Sequence, residues 1–345
     1  FLIFDLLDYR TIQFEVLLAV QFLWQNFLSK KDISMLNNSI RVRATASVAN
    51  VSCGFDCIGY AITKPGDIVT LEQQEKPGLE ISMSGIKYES IPVDPENNTA
   101  GKAILSLLET LESNQGFKVH IEKGIPPGSG IGSSAASAAA AIVGLNELFN
   151  KPLNNSELLI HGMAGEVVAS GGLHADNIAP ALFGGIVLIR SYQPLDILKL
   201  PVPNNLFSTA VLPDLIVNTF DARRILPKLV PLKSAVEQAG NLAGFTLGLH
   251  KADFDLLGRS MVDLFAEPVR AKLIPGYKSV RQSAMDAGAI GCGISGSGPT
   301  IFASSNSIQR AEKIGVEMVN SFKNSGLKST AYSTQIHRKS PEVLD

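Results

Sequence analysis

Residues 124–149 read GIPPGSGIGSSAASAAAAIVGLNELF, and this stretch decides the kind of fold to expect. Gly128-Ser-Gly-Ile-Gly132 leads into Ser133-Ser134 and then an alanine-rich run of good helix propensity. Glycines permit backbone angles that turn consecutive N–H groups toward one point. Ser133 or Ser134 is expected to cap the helix that follows. The helix start adds the positive end of its dipole, so the unit suits an anion such as a phosphate. It reads as a nucleotide-binding loop; the competing reading is a small-residue loop entering a close-packed helix.

The commoner phosphate loops do not fit. No Lys follows the glycines, so the G-x-x-x-x-G-K-[ST] loop is absent. The spacing is G-x-G-x-G, and no acidic residue closes a strand about 20 residues later, as a dinucleotide fingerprint needs.

Outward from the loop, strand-like and helix-like segments alternate. Strands are predicted at 40–46, 61–71 (with turn signals at Lys64-Pro-Gly-Asp67), 79–83, 117–123 and 184–190. Helices are predicted at 98–113, 134–149 and 156–169. Pro194, Pro201 and Pro203 mark a domain boundary. Beyond it come a strand at 207–212, helices at 221–225, 236–249, 255–264 and 277–287, strands at 289–294 and 300–303, and a helix at 308–324. Two mixed halves without steady βαβ repetition argue for α+β over a doubly wound sheet.

A net charge of -2 gives no electrostatic footprint for nucleic acid or an anionic membrane, so neither is expected as a partner. Cys53, Cys57 and Cys292 are too few for a disulfide framework and form no zinc pattern, which fits a reducing cytoplasm. Residues 1–36 are expected to be a non-native or disordered leader. The run 11–28 is apolar but holds Gln13, Glu15, Gln21, Gln25 and Asn26, too polar for a membrane span. Asp5 and Asp8 flank it where a signal peptide carries basic residues, and the only Trp, Trp24, lies here. A chain starting at Met35 is expected to keep stability and activity.

Two further motifs accompany the loop. Residues 46–59, ASVANVSCGFDCIG, form a polar bend between apolar strands and hold Asn50 and Asp56, which on their own read as turn residues. Residues 291–299, GCGISGSGP, form a second glycine cluster, of the kind used where backbones approach each other or a ligand closely. In this order the three motifs resemble the GHMP kinases, whose P-x-x-x-G-L-G-S-S-A-A loop reads here Pro126-Pro127-Gly128-Ser129-Gly130-Ile131-Gly132-Ser133-Ser134-Ala135-Ala136, with Ile131 for the usual Leu. Within that family ANVSCGFDCIG, HADNIAPALFGG (174–185), DARRILP (221–227), EPVRAKLIPGY (267–277) and GISGSGPTIFA (293–303) are most similar to the homoserine kinases, over about residues 38–335.

The resemblance implies a two-domain α+β GHMP fold. An N-terminal α/β domain like ribosomal protein S5 domain 2 is expected over 37–200, and a C-terminal ferredoxin-like α/β sandwich over 205–340. It implies ATP-dependent phosphorylation of the L-homoserine side-chain hydroxyl, in threonine biosynthesis. The loop 126–136 would cradle ATP, with Ser134 and Glu166 on Mg²⁺. Asn50, Asp56, His174, Asn177, Thr219, Arg223 and Arg270 would hold the substrate, Asp56 at its ammonium and the two arginines at its carboxylate. Asn177 would contact the reacting hydroxyl, and Asp176 matches the base of mevalonate kinases; the alternative is that the proton leaves through the γ-phosphate or water. Taken singly, Glu166 and Arg223 read as exposed helix charges and His174 as a structural residue. Another GHMP kinase, acting on mevalonate or shikimate, is the alternative enzyme. A catalytically silent nucleotide-binding regulatory protein is the alternative outside enzymes. The resemblance leaves a homodimer open.

Overall fold

A computed structural model describes residues 38–339 and 341–344. The expected leader lies outside the described residues. The first unit is built on a seven-stranded sheet. Strands β1 (Ser39–Ala49), β2 (Ile58–Gln74), β3 (Leu79–Gly85), β4 (Gly116–Lys123), β5 (Ile186–Tyr192), β6 (Leu195–Leu200) and β11 (Glu342–Leu344) form it. The order along its main path is β11-β1-β2-β4-β3, with β5 paired to the upper end of β2 and β6 to β5. Only β3 and β4 run parallel.

The alanine run forms α2 (Ser133–Leu148), which follows α1 (Thr99–Thr110) and precedes α3 (Asn155–Ser170) and α4 (Ile178–Phe183). Helix α2 is buried on almost every side. Its small residues let it lie close against the sheet: a Cβ at Gly144 would meet Leu71 Cδ1 at 2.9 Å. Asn98 caps α1 and Asn154 caps α3 through a reciprocal bond with Glu157.

The second unit carries β7 (Phe207–Pro213), β8 (Gly291–Ile294), β9 (Ile301–Ser305) and β10 (Ser329–Gln335) in the antiparallel order β10-β7-β9-β8. Its helices are α5 (Thr219–Arg224), α6 (Leu232–Lys251), α7 (Phe254–Ser260), α8 (Glu267–Arg270), α9 (Tyr277–Asp286) and α10 (Ile308–Asn324). Helices between β7 and β8 and between β9 and β10 give the β-α-β-β-α-β order of a ferredoxin-like layer. Strand alternation divides its side chains between two cores. Val211, Ile301 and Ala303 join a core with Val280, Ile314 and Phe322 of α9 and α10. Ala210, Leu212 and Phe302 face the other way, into the core shared with the first unit. There Phe302 meets the Tyr60 ring edge-on at 6.1 Å.

Several elements depart from the sequence expectation. The turn signals at 64–67 fall inside one long strand. Thr45 pairs with Gly66 but Ser47 with Ala61, so β2 accommodates them as a bulge and Asp67 is fully buried. The proline-rich stretch contains β6, which Pro194 precedes and Pro201 follows. The helix expected at 255–264 ends at Ser260. Neither Ser133 nor Ser134 caps α2: the cap is Gly132, at φ 67°, with no side-chain bond. The Ser133 hydroxyl instead donates to the Ile125 carbonyl at 2.9 Å.

Candidate active site

Three loops meet where the two units touch. The first glycine loop turns at Gly128, Gly130 and Gly132, with φ of 67°, 81° and 67°. Tight contacts explain the last two glycines: a Cβ at Gly130 would lie 2.5 Å from the Gly298 carbonyl oxygen, and one at Gly132 2.2 Å from Ser47 Oγ. The second glycine cluster locks onto the first, Ser295 Oγ donating to Gly130 O (2.7 Å) and Thr300 Oγ1 to Ser129 O (2.5 Å). The polar bend joins them, with Ser47 N donating to Ile131 O (3.1 Å) and Gly296 N to Ala49 O (3.1 Å). In that bend Asn50, Val51 and Ser52 all hold positive φ, an arrangement that for a β-branched residue such as Val51 stores strain.

A cavity of about 540 Å³ opens between these loops. Asn50, Asp56, Ser134, Glu166, His174, Asp176, Asn177, Thr219, Arg223 and Arg270 all line it. So do Pro127, Gly128, Ser129, Gly130, Gly132 and Ser133 of the loop. Pro126, Ile131, Ala135 and Ala136 do not, and the last three are fully buried in the core.

At one end charges of both signs converge. Arg223 makes a bidentate pair with Asp56, Nη1–Oδ2 3.1 Å and Nη2–Oδ1 2.9 Å. Arg270 is buried and donates to Gly296 O (2.8 Å) and Ala222 O (3.3 Å). Both guanidinium groups lie over the Phe55 ring, at 5.9 and 5.4 Å from its centroid. Asn50 donates to Gly296 O (3.1 Å) and accepts the Asp56 N–H (3.1 Å), so it shapes the bend as it lines the cavity.

Deeper in, burial dominates the electrostatics. It pushes the Asp176 carboxyl up to about 7, with the Asp56 charge adding to the effect. Burial likewise pushes Glu166 up to about 7, opposed by a hydrogen bond from Ser134. His174 is held down to about 4, first by burial and then by Arg223, so it is neutral at physiological pH. Asn177 Oδ1 accepts from Ser47 Oγ (2.9 Å), and Thr219 Oγ1 lies 3.3 Å from Ser297 Oγ.

Two regions of the chain match family models, "GHMP kinases N terminal domain" at 98–185 and "GHMP kinases C terminal" at 246–324. A homoserine kinase of Chlorobium phaeobacteroides is 45% identical over 318 residues, which is 89% of this chain and 99% of that one. The chain belongs to the homoserine kinases of the GHMP family. The crystal structure of a homoserine kinase from Cytophaga hutchinsonii superposes on it with a TM-score of 0.87 at 46% identity, covering 92% of this chain and 100% of that one. The L. major mevalonate kinase in complex with R-mevalonate shares the fold alone, at 18% identity and a TM-score of 0.67 over 90% of this chain and 99% of that one.

In this GHMP kinase the loop rests on a buried charge network that sequence reasoning missed. Lys123 and Asp67 pair beneath it, with 2% and 0% side-chain exposure. Lys123 Nζ also donates to Ser133 O (2.9 Å) and Ser137 Oγ (2.8 Å). Asp67 Oδ1 accepts the N–H groups of Gly124 and Ile125, both at 3.0 Å, while Oδ2 accepts Ser137 Oγ at 2.7 Å. Phe55 was missed too, and so was Tyr192, whose Oη accepts from Ala175 N and donates to Asp56 O, each at 3.2 Å. Only the family resemblance set Glu166 and Ser134 together in the sequence; no local signal marks Lys123, Phe55 or Tyr192.

Proposed function

We infer that this chain transfers the γ-phosphoryl group of ATP to the side-chain hydroxyl of L-homoserine, giving O-phospho-L-homoserine on the route to threonine. One observation carries the substrate: opposed charges for a zwitterion, Asp56 against Arg223 and Arg270, sit in the same cavity as the glycine loop. A guanidinium fork suits the α-carboxylate and the Asp56 carboxylate suits the α-ammonium.

The glycine loop fits a triphosphate. The first turn of α2 carries no side-chain cap, and the buried Ser129 hydroxyl has no hydrogen-bond partner. Such a loop presents N–H and O–H donors to anionic oxygens. Met83, Ile91, Pro92 and Asn97 also line the cavity, an uncharged set that suits the flatter, less charged base of the nucleotide. Ser134 and Glu166 are hard oxygen donors already joined by a hydrogen bond, the set that Mg²⁺ takes from protein when phosphates supply the rest. Bound there, Mg²⁺ would neutralise charge on the transferring phosphoryl group.

The chain's own residues then position the acceptor. Asn177, oriented by Ser47, faces the substrate hydroxyl. Asp176, raised toward neutrality, is suited to take the hydroxyl proton. His174, neutral, adds a hydrogen-bonding wall. A coupled ADP-release assay over homoserine, mevalonate, shikimate and galactose tests the substrate, and turnover of another alcohol in preference to homoserine would refute it. If Asp176→Asn kept most of the turnover, the base would lie elsewhere.

The unpaired thiols of Cys53, Cys57 and Cys292 support a reducing, cytoplasmic setting. Among the described residues no helix is long and apolar enough to cross a membrane. A homodimer is part of this proposal: Leu232 and Val236, 80% and 65% exposed on α6, support it, and sedimentation velocity tests it.

A further inference from the structure

Asp56 and Arg223 satisfy each other across the join between the two units. Asp56 belongs to the bend after β1 and Arg223 to α5 beyond the crossover, and their side chains are 26% and 33% exposed. The atoms that pair are those the homoserine reading gives to the substrate: both carboxylate oxygens, and both terminal guanidinium nitrogens. Arg270 is held by the carbonyls of Gly296 and Ala222, so Arg223 is the arginine that engages Asp56.

We propose that the Asp56–Arg223 pair is a self-closing lock, which only a ligand carrying both charges opens without stranding one of them, and that this makes the pair a specificity determinant against singly charged alcohols. The inference rests on the homoserine reading above. A zwitterion exchanges one ion pair for two: its ammonium replaces the guanidinium on Asp56 and its carboxylate replaces Asp56 on Arg223. 4-Hydroxybutanoate can take Arg223 but leaves Asp56 without its bidentate partner, with only the more distant Arg270 charge beside it, and 3-aminopropan-1-ol deprives Arg223 of that partner in turn. Rejection then comes from the cost of a stranded charge in a partly desolvated cleft, in addition to any contact the analogue lacks.

A plain clamp and a lock differ in one readout. With a clamp, Asp56→Asn weakens homoserine and helps 4-hydroxybutanoate only by lifting the repulsion between two carboxylates, a gain that survives when Arg223 is also replaced. With a lock, the same substitution releases Arg223, 4-hydroxybutanoate binds more tightly than to the wild type, and the gain disappears when Arg223→Gln is added. The partly exposed pair sets the scale of the gain at about three- to tenfold in Kd.

Calorimetric titrations supply the test: wild type and Asp56→Asn with 4-hydroxybutanoate, wild type and Arg223→Gln with 3-aminopropan-1-ol, Arg223→Gln and the Asp56→Asn/Arg223→Gln double variant with 4-hydroxybutanoate, and wild type and both single variants with homoserine. Each variant should bind its analogue more tightly than wild type does while binding homoserine more weakly. Unchanged or weaker analogue binding by either folded variant overturns the lock, and so does a 4-hydroxybutanoate gain of the same size in the Arg223→Gln background. Circular dichroism checks the fold, and should one variant fail to fold the other arm decides. Homoserine turnover by the wild type is read on the same samples. Turnover without the gains sinks the lock alone, and its absence sinks the substrate reading beneath it.

Discussion

Asp67→Asn tests what holds the first glycine loop in place. The substitution keeps the side chain's shape and one acceptor for the Gly124 and Ile125 N–H groups. It leaves the Lys123 ammonium, 2% exposed, hydrogen-bonded to the Ser133 carbonyl and the Ser137 hydroxyl, with the Glu166 carboxyl the remaining acidic group that acts on it. Removing one member of a buried pair costs about 3–5 kcal/mol, because the other charge stays behind without compensation. For a unit of this size that is a fall of roughly 10 °C in Tm. Adding Lys123→Met removes the stranded charge, so the double variant should be more stable than Asp67→Asn alone. Urea unfolding of the three proteins measures this, and steady-state kinetics should show KM for ATP rising more than KM for homoserine. An Asp67→Asn protein within about 1 kcal/mol of wild type would refute the reasoning, since surface pairs are worth no more than that.

Glu166→Gln should raise the Mg²⁺ concentration for half-maximal rate by about 10- to 100-fold, and an unchanged Mg²⁺ titration would remove Glu166 from the metal site. Tyr192→Phe cuts the link between the Asp56 bend and the His174–Asn177 loop at a cost of about 1 kcal/mol. Its signature is a higher KM for homoserine with KM for ATP unmoved; a change confined to ATP would contradict it. His174 has its folded pKa depressed from 6.5 to about 4, so protons favour the unfolded chain. The stability it contributes is complete above about 6.5 and is lost as the pH falls toward about 4. The advantage of wild type over His174→Gln should therefore shrink across that window, and parallel stability curves would count against it.

Much of the fold was legible because local signals and burial agree. The alanine run and the glycines place α2, and apolar periodicity places α1 and α3, within three residues of where they lie. What was hidden depends on partners far along the chain. Asp67 sits in a Lys-Pro-Gly-Asp string that reads as a turn, and only its pairing with Lys123, 56 positions on, shows it as a buried brace. Strand β10, STAYSTQ, lacks an apolar stripe, and β6 is bracketed by prolines, so neither announces itself. In the site, the loop and the charged residues were named through motifs and resemblance. Phe55, between two arginines, looked like an ordinary loop aromatic because its role depends on where those arginines arrive in space.

The short pairing of Glu342–Leu344 with Arg41–Arg43 has a topological consequence. The backbone leaves the first unit after β6, builds the whole second unit, and comes home to the opening strand. The second unit is thus a guest threaded into its host by two strings, not a bead at the end of one. A protease that nicks a single string leaves the halves tethered, and separating them cleanly takes two cuts.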